Sequence, residues 1–552
     1  MSGTREKLHD LAPTGYEDTF ARDHLPPREQ WPELVFDRDE FRYPERLNCA
    51  AELLDKAAAQ GGERPVIHAP AATGRTTISY RELLARANRI ANVLKRDLKL
   101  APGNRVLLRS ANNPMLAASL LGVFKAGGIA VSTMRLLRAK ELQYIVEKAK
   151  VEIALCDIRL KEEMESAAAR CPGLKRVVYF NGGGEGSLEA LMSRQPDWFD
   201  NVDTAADDVA LIAFTSGTTG EPKAAMHFHR DVLAMCDAWP RSILEPNAAD
   251  IFCGTPPLAF TYGLGTMLCV PMRFGASVVL MEQLTPSGLL QAIQDFRVTF
   301  CATVPTFYRQ MAPLVRDYDI GSLRRAVSSG EALPDATRQH WREATGIELI
   351  DGFGTTELMQ TPISHTPERR RQGATGYVIP GYQATVVGES GRPCAPGEVG
   401  RLAIKGPTGC LYLDDERQTK SVQGGWNITG DAYVMDADGY FYPRGRTDDL
   451  IVSAGYNIDG LEIESIMLEH EAVAECGVVG LPDTARGSIV TAFVVLRPGY
   501  LPGENMAKAL QEYVKSTIAP YKYPRQVQFV SKLPRTETGK LQRFMLVREV
   551  QA

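Results

Sequence analysis

The pattern between Ser79 and Val131 constrains the fold of this chain more than any other stretch. Ser79-x-x-Glu82 is a capping box, and behind it Leu83, Ala87, Ile90, Leu94 and Leu98 recur at helical spacing. Val106-Leu107-Leu108 reads as a short strand, a second amphipathic helix runs from about Met115 to Lys125, and Gly127-Gly128 leads into Ile129-Ala130-Val131. Strand, helix, strand is the unit of a parallel sheet. Similar units recur near 151–180 and 276–305, so the chain is α/β.

At 552 residues the chain is too long for one ordinary core, and roughly three or four domain-sized units are expected. The first forty residues, polar and proline-bearing, predict an extended arm lying over a core. After Gly400 the texture changes to short β-like segments joined by turns, and a charged, turn-prone stretch at Gly445–Asp449 marks a boundary. The expected architecture is a large N-terminal domain of layered α/β sheets with a β-rich subdomain (1–447). A small, mobile α+β C-terminal domain (448–552) follows, with strands at Cys476–Gly480 and Thr491–Leu496 and a helix near Met506–Ser516.

A net charge of −5 leaves no global basic field to recruit nucleic acid or an anionic membrane. The ten cysteines are scattered singly, with no C-x-x-C pair, so neither a zinc site nor a disulfide framework is expected. No run approaches the ~18 apolar residues of a membrane span, and the N-terminus has no apolar signal core. A soluble, cytoplasmic protein is expected, monomer or homodimer.

The chemistry starts at Thr215-Ser216-Gly217-Thr218-Thr219-Gly220-Glu221-Pro222-Lys223, directly after the apolar run Val209–Phe214. Hydroxyls on a glycine-loosened backbone make a phosphate cradle. The spacing fails the P-loop pattern, which needs four residues between the glycines and a lysine just after the second. Asp351-Gly352-Phe353-Gly354-Thr355-Thr356-Glu357 offers a carboxylate, Glu357, suited to Mg²⁺ on a polyphosphate. Thr429-Gly430-Asp431 offers a carboxylate for ribose hydroxyls, and Arg446 a further nucleotide contact. Thr538-Gly539-Lys540 ends the series. Taken singly, these are a turn, a polar linker and a solvated lysine. Their joint occurrence in one order is what carries the reading.

Together these motifs resemble the adenylate-forming superfamily of acyl-CoA synthetases, adenylation domains and luciferases, over nearly the whole chain. The resemblance implies ATP, Mg²⁺ and coenzyme A as co-substrates and cofactor, with an acyl-adenylate intermediate. It assigns Lys540 as catalytic lysine, with Glu357 (the metal contact) and Thr356 beside it in the catalytic set. Thr215–Gly220 and Lys223 go to the phosphates. Gly330, Glu331 and Ala332, within Ser328–Leu333, form the adenine-side loop. Asp351, Gly352, Phe353, Thr356, Asp431 and Arg446 complete the nucleotide site, and Asp448 becomes the hinge. A carboxylate attacking the α-phosphate brings two anions together, which explains the need for fixed donors, a metal and one movable cation. The thiol then has to enter where Lys540 stood, so the small domain must swing.

The same resemblance lines an acyl pocket with Ala259, Phe260, Tyr262, Gly263, Thr303, Ser329, Gly330, Gly354 and Gln360. No aspartate stands in Ala259–Gly263 to hold an α-amino group, and no tryptophan stands near Phe353-Gly354 to close the pocket for acetate. Tyr262-Gly263-Leu264-Gly265 and Gly352–Glu357 resemble the benzoate–CoA ligase branch. Asp18–Pro32 and Tyr43–Asn48 resemble 2-aminobenzoate–CoA ligases in particular. A small aromatic carboxylic acid is therefore expected, best 2-aminobenzoate, and Gln360 is placed to bond an ortho substituent. Benzoate, salicylate or a medium-chain acid are the alternatives, and an ATP-hydrolysing switch module is the alternative of a different class. Gly460 stands where the family usually has proline, which implies a looser lip for the pantetheine tunnel.

Overall fold

The structure, a computed structural model, describes residues 11–71, 74–215, 222–446, 451–453, 456–483, 487–536, 539 and 541–551. Ser79 caps the helix Tyr80–Asn92 through both bonds of the capping box. The strand Arg105–Arg109 follows, then the helix Pro114–Lys125, started by Asn113 with proline in its first turn, then the strand Ile129–Thr133. Helix Pro114–Lys125 is buried from Leu116 to Lys125, because it lies between layers rather than on a surface. Its terminal Lys125 ammonium sits on both oxygens of Asp55 at 2.7 Å, which offsets the burial of that charge.

Two sheets make the large part of the molecule. The six-stranded one runs Arg176–Phe180, Ile153–Asp157, Arg105–Arg109, Ile129–Thr133, Val209–Phe214, Ala224–Phe228. All its neighbours are parallel except the last pair. The larger sheet has a parallel centre of six strands, from Leu349–Phe353 through Arg325–Ser329, Phe300–Thr303, Ile251–Gly254 and Ser277–Val279 to Pro65–Ala71. Beyond Leu349–Phe353 the pairing turns antiparallel, through Ile363–Ser364, Gly376–Val378, Tyr440–Arg446, Trp426–Met435, Val399–Lys405 and Gln383–Val387. The β-rich part thus begins near Ile363, earlier than the change of texture at Gly400.

Residues 451 onward form separate small sheets. A hairpin pairs Ile451–Ser453 with Tyr456–Ile458, and Val473–Asp483, Gly487–Leu496 and Gln526–Phe529 make a three-stranded sheet. The helix Glu504–Thr517 lies where the sequence puts it. Gly460 opens the helix Gly460–Glu469, with Asp459 accepting from the Leu461 N–H at 2.8 Å, and it is buried against the Val478 carbonyl. In this arrangement the missing proline leaves a capped, packed helix start.

The arm lies over the core as expected. Tyr16 donates to the Val209 carbonyl at 2.7 Å, and Thr14 and the Gly15 N–H bond Asp208 at 2.5 and 2.9 Å, all at the foot of the strand Val209–Phe214. Further along, Trp31 packs on Phe228 and Glu33 pairs with Lys405. Gln418 donates to the Gln30 carbonyl at 2.9 Å. The arm therefore ties the six-stranded sheet to the β-rich part. Nine of the ten cysteines are buried, and all ten are free thiols. Among the described residues no helix is long and apolar enough to cross a membrane.

Candidate active site

The loop of residues 215–223 joins two antiparallel strands, Val209–Phe214 and Ala224–Phe228, and the next helix starts only at His229. A P-loop leads from its strand into a helix whose N-terminus supports the phosphates; here, among the described residues, the segment that follows is the strand Ala224–Phe228, which fits the unusual spacing. Its mouth is pinned by the Thr215 N–H on the Lys223 carbonyl at 2.9 Å, with the Lys223 N–H on Thr215 Oγ1 at 3.3 Å. Tyr144 holds the Pro222 carbonyl at 3.0 Å. Ser216, Gly217, Thr218, Thr219 and Gly220 lie outside the described residues.

Lys223 and Glu357 meet through a third side chain. Lys223 Nζ donates to the Tyr412 hydroxyl at 3.0 Å, and that hydroxyl donates to Glu357 Oε1 at 2.5 Å. Behind them His227 is fully buried, and neither ring nitrogen makes a hydrogen bond of good geometry. Burial pushes its pKa down to about 4, with Glu357 and the Thr356 backbone pulling the other way. The imidazole is therefore neutral at pH 7.

Among the residues expected to take adenine and ribose, Asp351 is buried and its carboxylate accepts the Gly352 N–H at 2.9 Å. Burial pushes its pKa up to about 7 against the pull of Arg338. Phe353 meets Tyr433 edge-on at 5.5 Å, and both Asp351 and Asp431 act on the buried Tyr433 phenol. Asp431 lies opposite Arg446 in neighbouring strands, and its N–H bonds Thr429 Oγ1 at 3.2 Å. Gly330 takes a left-handed backbone at φ 95°, a turn in which a side chain would be strained. Ala332 is half-buried in the same loop.

The expected acyl-pocket segments converge. Asn112 holds the loop ahead of Ala259 and Phe260, donating to the Pro256 carbonyl at 2.9 Å and accepting from the Leu258 N–H at 2.8 Å. Gly263 approaches the Pro257 carbonyl so closely that a Cβ would stand 1.9 Å from it, so no other residue fits. The Tyr262 phenol is buried, its pKa raised by burial and drawn back by Ser329. Thr303 pairs with Thr255 at 2.7 Å. Gly354 packs on the Gln360 carbonyl, and Gly265 faces the Gln360 amide nitrogen. Gln360 is buried; its Oε1 accepts from the Thr361 hydroxyl at 3.1 Å, while its Nε2 has no hydrogen-bond partner.

The small domain closes over this floor. Glu331 is turned toward it: Glu331 Oε1 accepts the Leu541 N–H at 2.8 Å and pairs with Arg535 at 3.3 Å. Burial raises the Glu331 pKa, and Arg535 and the Leu541 N–H lower it. Arg535 also donates to the Gly539 carbonyl at 2.6 Å and is fixed within its own domain by Glu475 at 2.8 Å. Gly539 lies against Val304, where an added Cβ would stand 3.0 Å from Cγ2. Asp448 and Lys540 lie outside the described residues, as do the side-chain contacts of Arg446. The neighbours of Lys540 on both sides nevertheless touch the large domain.

Comparison with known proteins agrees with this geometry. The model of the AMP-binding enzyme family matches residues 54–411, and that of the AMP-binding enzyme C-terminal domain matches 462–540. This chain belongs to the AMP-binding enzyme family. Benzoate–CoA ligase of Thauera aromatica is 32% identical over 514 residues, covering 92% of this chain and 97% of the relative. The anthranilate CoA ligase AuaEII, solved with anthranoyl-AMP, superimposes with a TM-score of 0.88 at 31% identity, over 93% of this chain and 99% of its own. A benzoate CoA ligase from Burkholderia xenovorans LB400 gives a TM-score of 0.83 at 29% identity, over 91% and 100%.

The residues of this family member fit magnesium at Glu357. The ion takes one or two carboxylates and fills its remaining positions with phosphate oxygens and water. Among the described residues no group of three or more His, Cys, Asp or Glu side chains is placed to hold a metal. One carboxylate, Glu357, held beside the Lys223–Tyr412 pair, suits an ion whose other positions phosphate oxygens and water would fill. Tyr412 and His227 stand beside Lys223 and Glu357 without having been singled out in the sequence.

Proposed function

We propose that this protein is an ATP-dependent, AMP-forming aromatic acid–CoA ligase, with 2-aminobenzoate as its best substrate. ATP is the nucleotide and coenzyme A the thiol. Lys223 and the Thr215 loop serve the phosphates, Glu357 would hold Mg²⁺, and Asp431 the ribose. Magnesium at Glu357 would neutralise phosphate oxygens as charge builds on them. Lys540 is the movable cation. The observation that supports the reading is the contact of Leu541 with Glu331 and of Gly539 with Val304, which brings the residues on either side of Lys540 against the large domain. The small domain pivots at Asp448 to clear that space for the thiol.

Support for the ortho-substituted acid comes from Gln360. A buried amide with an unpaired Nε2 costs stability unless a ligand completes it. The Thr361 hydroxyl can donate or accept, so the Gln360 amide can present either its N–H or, rotated, its C=O to an ortho group. AMP release measured across benzoate, salicylate, 2-aminobenzoate and medium-chain acids tests the substrate class. One neutral hydrogen bond of about 0.5–1.5 kcal/mol predicts that Gln360→Leu lowers the preference for 2-aminobenzoate over benzoate by about 2- to 13-fold in kcat/KM. An unchanged ratio would remove Gln360 from the reading.

A further inference from the structure

Tyr412 comes from the β-rich part, some 190 residues beyond Lys223 in the chain, and lies outside the motifs quoted above. Its backbone is fixed from two sides. It bridges Ala225 on the strand that leaves the phosphate loop, and its N–H bonds Gln418 Oε1 at 2.9 Å. Gln418 in turn donates to the Cys410 and Gln30 carbonyls, both at 2.9 Å, so the N-terminal arm braces the same turn. The side chain is 1% exposed, and its hydroxyl stands between an ammonium and a carboxylate. The Lys223 ammonium also lies 4.9 Å from the ring centroid.

The direction of the chain is determined. Lysine has only donors and a carboxylate only acceptors, so Lys223 N–H points at the phenol oxygen and the phenol O–H points at Glu357. The link uses one of the three Lys223 N–H groups and one Glu357 oxygen. A lysine and a glutamate so close would otherwise pair directly, and a direct pair would neutralise the charges that a polyphosphate and its cation require.

We propose that Tyr412 is a positioning residue that holds Lys223 and Glu357 apart, each with open valence toward Mg²⁺ and the ATP phosphates. This rests on the proposed ATP chemistry. Without the hydroxyl the two side chains collapse into a direct ion pair, and both are withdrawn from the nucleotide.

The test is Tyr412→Phe, which keeps the packed ring and its contact with the Lys223 ammonium. Binding of ATP is measured by calorimetry with and without Mg²⁺, beside both half-reactions and Tm. The expected result is that Mg²⁺·ATP binds about tenfold more weakly and that the gain from adding Mg²⁺ shrinks. Thioester formation from supplied acyl-adenylate should stay within twofold and Tm within a few degrees. Lys223→Met combined with Tyr412→Phe should be no worse than Lys223→Met alone. Wild-type Mg²⁺·ATP binding in Tyr412→Phe overturns the proposal. So does an equal loss of both half-reactions with a fallen Tm, or full additivity in the double variant. If neither wild type nor variant binds ATP at all, it is the proposed ligase function that fails instead.

Discussion

Replacing Arg535 with alanine should slow adenylate formation about 30-fold and leave thioester formation from supplied acyl-adenylate unchanged or faster. Arg535 makes three kinds of contact. Its bond to Glu475 lies within the small domain and is the same wherever that domain stands. The pair with Glu331 crosses to the large domain at 3.3 Å with both side chains 21% exposed, which limits it to about 1 kcal/mol. Its bond to the Gly539 carbonyl, at 2.6 Å, holds the lysine loop in shape and as a charged hydrogen bond contributes about 1.5–3 kcal/mol. Partial exposure screens both contacts and lowers their sum, and the Leu541 N–H on Glu331 survives the change. A net loss of about 2 kcal/mol from the docked arrangement is about 30-fold in rate. Pyrophosphate exchange into ATP reads the first half-reaction, and CoA acylation by synthetic acyl-adenylate reads the second. Arg535→Lys, which can keep one partner but not the fork, should fall between. Equal losses in both halves, or none in the first, would refute the latch.

Two further outcomes follow from the same site. Lys540→Ala should abolish pyrophosphate exchange while sparing thioester formation from acyl-adenylate; parallel loss of both would take the lysine out of the first step. Asp351, with a folded pKa near 7 against an ordinary 3.8, binds its proton more tightly when folded. Stability therefore falls as pH rises from about 4 to about 7, by at most about 1.4 kcal/mol per unit, and levels above. Asp351→Asn keeps an acceptor for the Gly352 N–H and escapes this loss. Its gain in Tm over wild type, measured without ligand, should be larger at pH 8 than at pH 5, and a pH-independent difference would contradict the assignment.

Much of this was legible in the residues. The six residues Val209–Phe214 form a strand, all buried, as an unbroken apolar run before a glycine loop predicts. The capping box at Ser79 and the helix Pro114–Lys125 were readable because their signals are local. The start of the β-rich part was not: Ile363–Ser364 and Gly376–Val378 are two and three residues long, too short to show alternation. Tyr412 and His227 escaped for another reason. Each is a single residue in an unremarkable strand-like run, and only folding brings Lys223, Glu357 and Tyr412 into one line. Glu331 was readable as part of the adenine-side loop, but its hold on Leu541 spans 210 residues, beyond any local pattern.

The N-terminal arm has a consequence for how the molecule is built. Its anchors lie far along the chain: Tyr16 reaches Val209 across 193 residues, and Gln30 waits for Gln418 across 388. Contacts of such separation form late, because both receiving surfaces must exist before the loop-closure entropy is repaid. The arm, made before the surfaces that receive it, is thus among the last parts to be seated. Until the strand ending at Phe228 has formed, Trp31 lacks that packing partner, and the growing chain carries the indole with only its local neighbours, the Arg28 guanidinium over the ring and the Pro26 carbonyl on its N–H.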